Sequence, residues 1–247
     1  MRALRGMATW RVRDRGRPRV DTGHVLHALL CPNCDVIMLQ DDGDDAEAWA
    51  DEADEWGFQQ FTGPASGEAH DRCACHLLIR TGGDGVVPGP ALDAGPGAHG
   101  RRPATAYVGA HRTLFVSWCA EAGPAARDGT AGLVAACAGV LSRDPGVEAV
   151  IIGGGFNAGP DDVDKVLASV LGTAARAPRV QHALVCPGQP TRYRDGAPDR
   201  ELDFFVSMTR GGSSPAHRAW LARGDCWVMR CDGRAGEHDP VIADRAG

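Results

Sequence analysis

The sequence predicts one α/β domain, on three observations. Strand-like apolar runs alternate with segments of helical apolar spacing along the whole chain. The 247 residues are long enough for one large α/β domain or two small ones. No internal repeat and no clear linker divides residues 1–247, which favours one domain.

Each element has its own signal. Ala8 to Val12 reads as a strand, with Met7 as a plausible start and residues 1–6 as a disordered leader. Val25, Leu26, Leu29 and Leu30 recur at helical spacing within residues 20–30, and Pro32 stops that helix. Asp35 to Gln40 is a short apolar run expected to be a buried strand, and Ala46 to Trp56 reads as an acidic amphipathic helix. Further strands are expected at Phe58 to Thr62 and His76 to Thr81. Gly82 to Arg102 is dominated by Gly and Pro, so it is expected to be a long loop. Ala104 to Val108 and Thr113 to Ser117 form a hairpin pattern across Gly109-Ala110-His111-Arg112. Helices are expected at Asp128 to Leu141 and Asp161 to Leu171. Strands are expected at Val147 to Ile152, Val180 to Val185, Leu202 to Ser207, Cys226 to Arg230 and Pro240 to Ala243.

Composition excludes some function classes. A net charge of −6 argues against a duplex DNA binder, because phosphate contacts dominate such affinity. No apolar run approaches the ~20 residues that span a bilayer, and the first six residues lack a signal-peptide core, so the expected location is cytoplasmic. Nine cysteines, an odd number with no secretory signal, read as free thiols. Cys31, Cys34, Cys73 and Cys75 would make a four-thiolate zinc set, but no second CxxC supports it and the thiol reading is preferred. The arginines of residues 2–19 and the acidic run of residues 41–55 read as solvated faces.

Five short segments carry more. They are Ala8-Thr9-Trp10-Arg11, Leu39-Gln40-Asp41, Ile151-Ile152-Gly153-Gly154-Gly155-Phe156-Asn157, Glu201-Leu202-Asp203-Phe204 and Glu237-His238-Asp239-Pro240-Val241. In this order they resemble the motifs of the endonuclease/exonuclease/phosphatase superfamily, nearest in look to the catalytic subunits of cytolethal distending toxins. The resemblance covers Ala8 to Asp244. It implies the deoxyribonuclease-I-like fold, a four-layer α/β sandwich of two packed mixed β-sheets flanked by helices, with a pocket at one end. It also implies phosphoester hydrolysis with a divalent metal, commonly Mg²⁺.

The motifs depart from that pattern at the pocket. Arg11 stands where the superfamily has a metal-holding Asn, and Asp41 where it has its main ligand Glu. Arg102, before Pro103, fits the place of a phosphate-binding guanidinium, and Trp118 takes the place of a His at the end of the next strand. Gly155 replaces an Asp while Asn157 is kept; Asp203 matches the later acidic position, and Glu237-His238 ends the set. The resemblance thus assigns His238, Glu237, Asp203 and Asn157 to catalysis, Arg11, Arg102, Trp118 and Gly155 to substrate binding, and Asp41 to a metal if one binds.

Three function readings follow. The preferred one is an enzyme repurposed to act on a small organic molecule, as in a biosynthetic role, with His238 as acid/base and no cofactor. In it an Arg11–Asp41 pair fills the old metal site, and Trp118 with Gly155 makes the mouth flatter and more apolar. The second is a metal-dependent phosphodiesterase using Mg²⁺ or another divalent cation. The third is a non-catalytic binding protein. The glycines 153 and 154 are expected to form a tight turn, and the other eight histidines to be surface or hydrogen-bonded residues.

Overall fold

The computed structural model describes residues 6–12, 29, 34–40, 46–63, 74–80, 85–98, 101–173, 180–194, 197–211, 226–229 and 238–244. Two six-stranded sheets carry the architecture. In chain order the first sheet takes β1 (Gly6–Arg11), β2 (Val36–Gln40), β3 (Phe58–Thr62), β4 (Cys75–Arg80), β13 (Cys226–Val228) and β14 (Val241–Asp244). Its spatial order is β13-β14-β1-β2-β4-β3. The second takes β5 (Val86–Pro88), β6 (Ala104–Val108), β7 (Thr113–Cys119), β8 (Ala149–Gly155), β9 (Val180–Val185) and β12 (Asp203–Arg210), ordered β5-β6-β7-β8-β12-β9. A two-stranded ribbon, β10 (Arg192–Arg194) with β11 (Ala197–Arg200), stands apart. Each large sheet is mixed: β1 runs parallel to β2 and β7 parallel to β8, while the remaining pairs are antiparallel.

Three apolar clusters set the layers. Met7, Met38 and Leu77 of the first sheet meet Phe115, Ile151 and Phe205 of the second in the inter-sheet core. The outer face of the first sheet, with Trp10, Ile37 and Leu39, packs on Ala53 of helix α1 (Ala46–Glu55). The outer face of the second, with Leu114, Val116, Ile152 and Phe204, packs on helices α2 (Ala125–Arg143) and α3 (Pro160–Thr173) through Leu133, Leu141, Val163 and Leu167. The order helix, sheet, sheet, helix is the four-layer sandwich that the motif set implies.

A polar pin joins the sheets. Buried Gln40 donates through Nε2 to Thr9 Oγ1 at 3.1 Å and across to Ser117 Oγ at 3.0 Å, and Ser117 Oγ donates to the Leu39 carbonyl at 3.1 Å. A buried amide is costly unless bonded, so this closed set fixes how the strand ends face one another.

Several elements differ from the sequence reading. Gly6 already pairs with Asp244, so the strand starts inside the expected leader; residues 1–5 lie outside the described residues. Val86-Val87 forms a short edge strand within the expected loop. The expected helix of residues 20–30 lies outside the described residues except for Leu29, which is helical and buried.

The glycines also differ: Gly153 and Gly154 lie within β8 rather than in a turn. A Cβ on Gly153 would sit 2.4 Å from Met38 Sδ and 2.8 Å from the Phe205 ring, and one on Gly154 would sit 1.8 Å from the Trp118 carbonyl oxygen. They are glycine because the facing sheet and the neighbouring strand leave no room for a side chain.

Candidate active site

The C-terminal ends of β1 and β8 meet across the sheets. Chain direction reverses after β8 through Phe156 and Asn157, and Asn157 adopts φ +50, a left-handed conformation that Asn tolerates better than most residues. That turn aims the amide at two neighbours. Arg11 Nη1 donates to Asn157 Oδ1 at 2.9 Å, and Asn157 Nδ2 donates to the Ala120 carbonyl at 2.6 Å.

On the other side of β8, Asp203 opens β12 directly opposite Gly155. His238 Nδ1 lies 2.7 Å from Asp203 Oδ2, and both residues are buried. Trp10 Nε1 donates to the His238 carbonyl at 3.0 Å, so the Trp of the first motif holds the backbone of the last. Burial pushes the Asp203 carboxyl up, but the His238 charge and hydrogen bond, the Thr191 hydroxyl and the Arg11 charge outweigh it. They hold the carboxyl below its ordinary range. An ionised, ring-orienting carboxylate beside an imidazole is an acid/base pair.

Gly155 lies between the two groups. A Cβ built there would be 3.1 Å from Asp203 Oδ1, 3.5 Å from Arg11 Cδ and 3.9 Å from Arg11 Nη1. The space that an aspartate would take in the resembling motif is thus bordered by the Arg11 side chain on one side and by Asp203 Oδ1 on the other. Asp203 Oδ1 is buried at the same gap and has no hydrogen-bond partner among the described residues.

Strand parity reassigns two residues. Trp118 is not at the pocket mouth. It is fully buried on the helix-facing side of β7, in the cluster with Phe156, Phe204 and Leu133. Its neighbour Cys119 faces the other way, into the inter-sheet core, and pairs in register with Gly155. Cys119, Gly155 and Asp203 therefore form one row across β7, β8 and β12. Similarly, Arg102 is exposed, whereas Arg101 is 7% exposed and turned inward. Arg101 Nε donates to Glu121 Oε2 at 2.9 Å, and Nη1 donates to Cys119 Sγ at 3.1 Å and to the Ala120 carbonyl at 3.3 Å. The carbonyl of Ala120 thus links Arg101 to Asn157.

Asp41 and Glu237 lie outside the described residues. Among the described residues no group of three His, Cys, Asp or Glu side chains is placed to hold a metal ion. The donor chemistry at the site agrees: Asn157 Oδ1 accepts from a guanidinium, position 155 has no side chain, and Asp203 Oδ2 is taken by His238. Mg²⁺ needs several oxygen ligands, and a guanidinium at their centre repels it. The described residues therefore do not fit the divalent cation of the resembling motifs.

A cavity of about 690 Å³ adjoins this set, lined among others by Asn157, Arg127, Asp162, Arg200, Glu201 and Leu202. Burial pushes the Glu201 carboxyl up, opposed by the Gly188 N–H that donates to Oε1 at 2.9 Å. Burial also pushes the Cys137, Cys186 and Cys226 thiols up to about 12, which favours the protonated, less nucleophilic form. His76 bonds Gln60 and Thr62, and His182 bonds Asp164, as expected of histidines away from the site.

No family model and no curated protein matches the sequence. Solved structures do. The cytolethal distending toxin from Actinobacillus actinomycetemcomitans matches with a TM-score of 0.67 at 14% identity, over 98% of this chain and 98% of that chain. CdtB, the biologically active subunit of cytolethal distending toxin, gives 0.65 at 16% identity, again over 98% of each chain. D. rerio TDP2 complexed with a single strand DNA product gives 0.67 at 11% identity, over 100% of each chain. At such identities the likeness is one of fold. The chain has the deoxyribonuclease-I-like fold, a four-layer α/β sandwich.

Proposed function

We propose that this deoxyribonuclease-I-like scaffold acts on a small organic molecule, with His238 as general acid/base and the fixed guanidinium of Arg11 supplying the positive charge that a metal supplies in the resembling motifs. One observation carries the reading: Arg11 borders the gap left by Gly155 and bonds Asn157 at 2.9 Å, beside the Asp203–His238 pair. A preorganised cation near a proton-transfer group stabilises developing negative charge without reorganising. The adjoining cavity of about 690 Å³ lies within the ~300–1,000 Å³ that small-ligand pockets occupy. The partner is thus a small molecule, with neither duplex DNA nor a membrane as its target. No helix among the described residues is long and apolar enough to cross a membrane.

The reading is tested by turnover in a chelator. Binders are found by thermal shift with a metabolite library, and their conversion is followed by mass spectrometry. Conversion is expected to proceed in EDTA and to vanish in His238→Gln. Strict dependence on added Mg²⁺ or Mn²⁺ overturns the reading.

A second reading keeps metal-dependent phosphodiester cleavage, with Asp41 and Glu237 as ligands. What favours it is the fold likeness, together with the single strand DNA product held by D. rerio TDP2. Calorimetric titration with Mn²⁺ separates the two: millimolar or tighter binding, lost in Asp41→Ala, supports the second.

A further inference from the structure

We propose that Thr191 is a positioning residue that dictates which nitrogen of His238 works. This rests on the acid/base reading above and deepens it. Thr191 is fully buried between the Gly188 turn and β10, twelve residues before Asp203. No motif marks it. Its hydroxyl oxygen accepts the N–H of Leu202 at 3.0 Å and the N–H of Asp203 at 3.1 Å. A hydroxyl has two acceptor sites and one proton. With both acceptor sites filled, Thr191 can only donate, and it does so to Asp203 Oδ2 at 2.8 Å.

The atom at the Oδ2 position must therefore be an acceptor. His238 Nδ1 approaches that same atom at 2.7 Å, so Nδ1 carries a proton. Nε2, which has no partner among the described residues, is left as the nitrogen that accepts or gives up a proton at the site. The Thr191 backbone also ties down the segments that carry His238 and Asp203: its carbonyl accepts the Asp239 N–H at 3.0 Å, and its N–H donates to the Arg200 carbonyl at 3.0 Å. Threonine, aspartate and histidine thus form one directional chain, and its direction is set at Thr191.

This makes an unusual prediction about Asp203→Asn. An amide can place either its oxygen or its NH₂ toward the imidazole, and NH₂ there would force the opposite tautomer. Thr191 forbids it, because its hydroxyl proton would then face another donor. The amide oxygen is held at the Oδ2 position and His238 stays protonated on Nδ1. Removing the hydroxyl lifts the constraint. The amide then turns its oxygen toward Arg11, which borders the same gap as Oδ1, and His238 becomes protonated on Nε2.

The experiment is long-range ¹H–¹⁵N correlation of the full chain labelled at histidine, at a pH where His238 is neutral. Its signals are assigned by their absence in His238→Gln. The parent and Asp203→Asn are expected to show the Nδ1–H form, in about tenfold excess, the ratio one ordinary hydrogen bond supports. Thr191→Val combined with Asp203→Asn is expected to show the Nε2–H form, and Thr191→Ser with Asp203→Asn to restore Nδ1–H. An Nε2–H form in the parent or in Asp203→Asn alone overturns the proposal, and so does an Nδ1–H form in the valine double variant. The parent and Asp203→Asn spectra decide the matter even where the valine variant does not fold. The tautomer is read without turnover, so its failure is distinguishable from failure of the acid/base function, which conversion by His238 variants decides.

Discussion

The two halves of the site are held in different ways. Asp203 and His238 sit inside a closed set of buried bonds, with Thr191, Trp10 and two backbone N–H groups fixing their directions. Arg11 and Asn157 hold each other across the sheets at a left-handed turn, and Arg11 is half-buried. The first half keeps the residue types of the resembling motifs; in the second Asn157 is kept, while Arg11 and the neighbouring Gly155 are replacements. The difference teaches how each half is held: the first by bonds closed within the buried interior, the second by single bonds from Arg11 to Asn157 and from Asn157 to the Ala120 carbonyl, beside the cavity that Asn157 lines.

The largest expected effect breaks the first half. His238→Gln removes the titrating group and is expected to lower turnover ~10²–10⁴-fold, the range for losing a general acid or base. Arg11→Ala removes the fixed cation and is expected to lower turnover ~10²-fold, with no rescue by Mg²⁺. Steady-state rates in EDTA and in Mg²⁺ check both. A double variant no slower than His238→Gln alone would mean that the halves act as one unit.

The next effect rebuilds the second half. Gly155→Asp alone places its Cβ 3.1 Å from the unpartnered Asp203 Oδ1 and adds a second carboxylate to that gap. The added buried charge is expected to cost about 1–3 kcal/mol, read as a lower thermal midpoint. Combining it with Arg11→Asn removes the guanidinium that borders the gap. The double variant is expected to bind Mn²⁺ by calorimetry at a concentration where the parent does not.

A smaller effect lies in the acid limb of stability. Asp203 has a lowered carboxyl pKa in the folded chain, so its contribution is present above the ordinary aspartate value of about 3.9. It is lost as the pH falls through the folded value below that. Asp203→Asn is expected to be less stable than the parent at neutral pH and to lose less stability on going below pH ~4. Urea unfolding at the two pH values measures both slopes.

What the sequence revealed follows the same division. Asp203, His238 and Asn157 were legible because each sits in a short motif whose neighbours fix its place. Trp118 was not, because every residue of β7 is buried on both faces. A strand with two buried faces has no polar alternation, so nothing in the sequence says which residues share the pocket side. Ser117 bonding Gln40 settles the parity, and with it Cys119. Thr191 left no signal, because a threonine before a short ribbon looks like any other turn hydroxyl. The glycines of β8 were readable as glycines but not as strand, since the crowding that excludes a side chain comes from Met38, Phe205 and Trp118, distant in sequence.

The smallest expected effect separates the two arginines before Pro103. Arg102 is exposed, and exposed substitutions away from special features stay within about 0.5 kcal/mol. Arg102→Ala is therefore expected to leave both the thermal midpoint and turnover unchanged. Arg101→Ala differs in kind. It leaves Glu121 without its 2.9 Å partner, removes a donor to Cys119 and takes one of the three donors from the Ala120 carbonyl that also anchors Asn157. Asn157 in turn orients Arg11, so the loss reaches the cation half through a carbonyl rather than through the substrate. Its signature is a lower kcat with little change in KM, because a misplaced cation weakens charge stabilisation more than ligand binding. If Arg102→Ala lowers turnover and Arg101→Ala does not, the exposed guanidinium touches the substrate, and the inward chain from Arg101 to Arg11 has no part in the reaction.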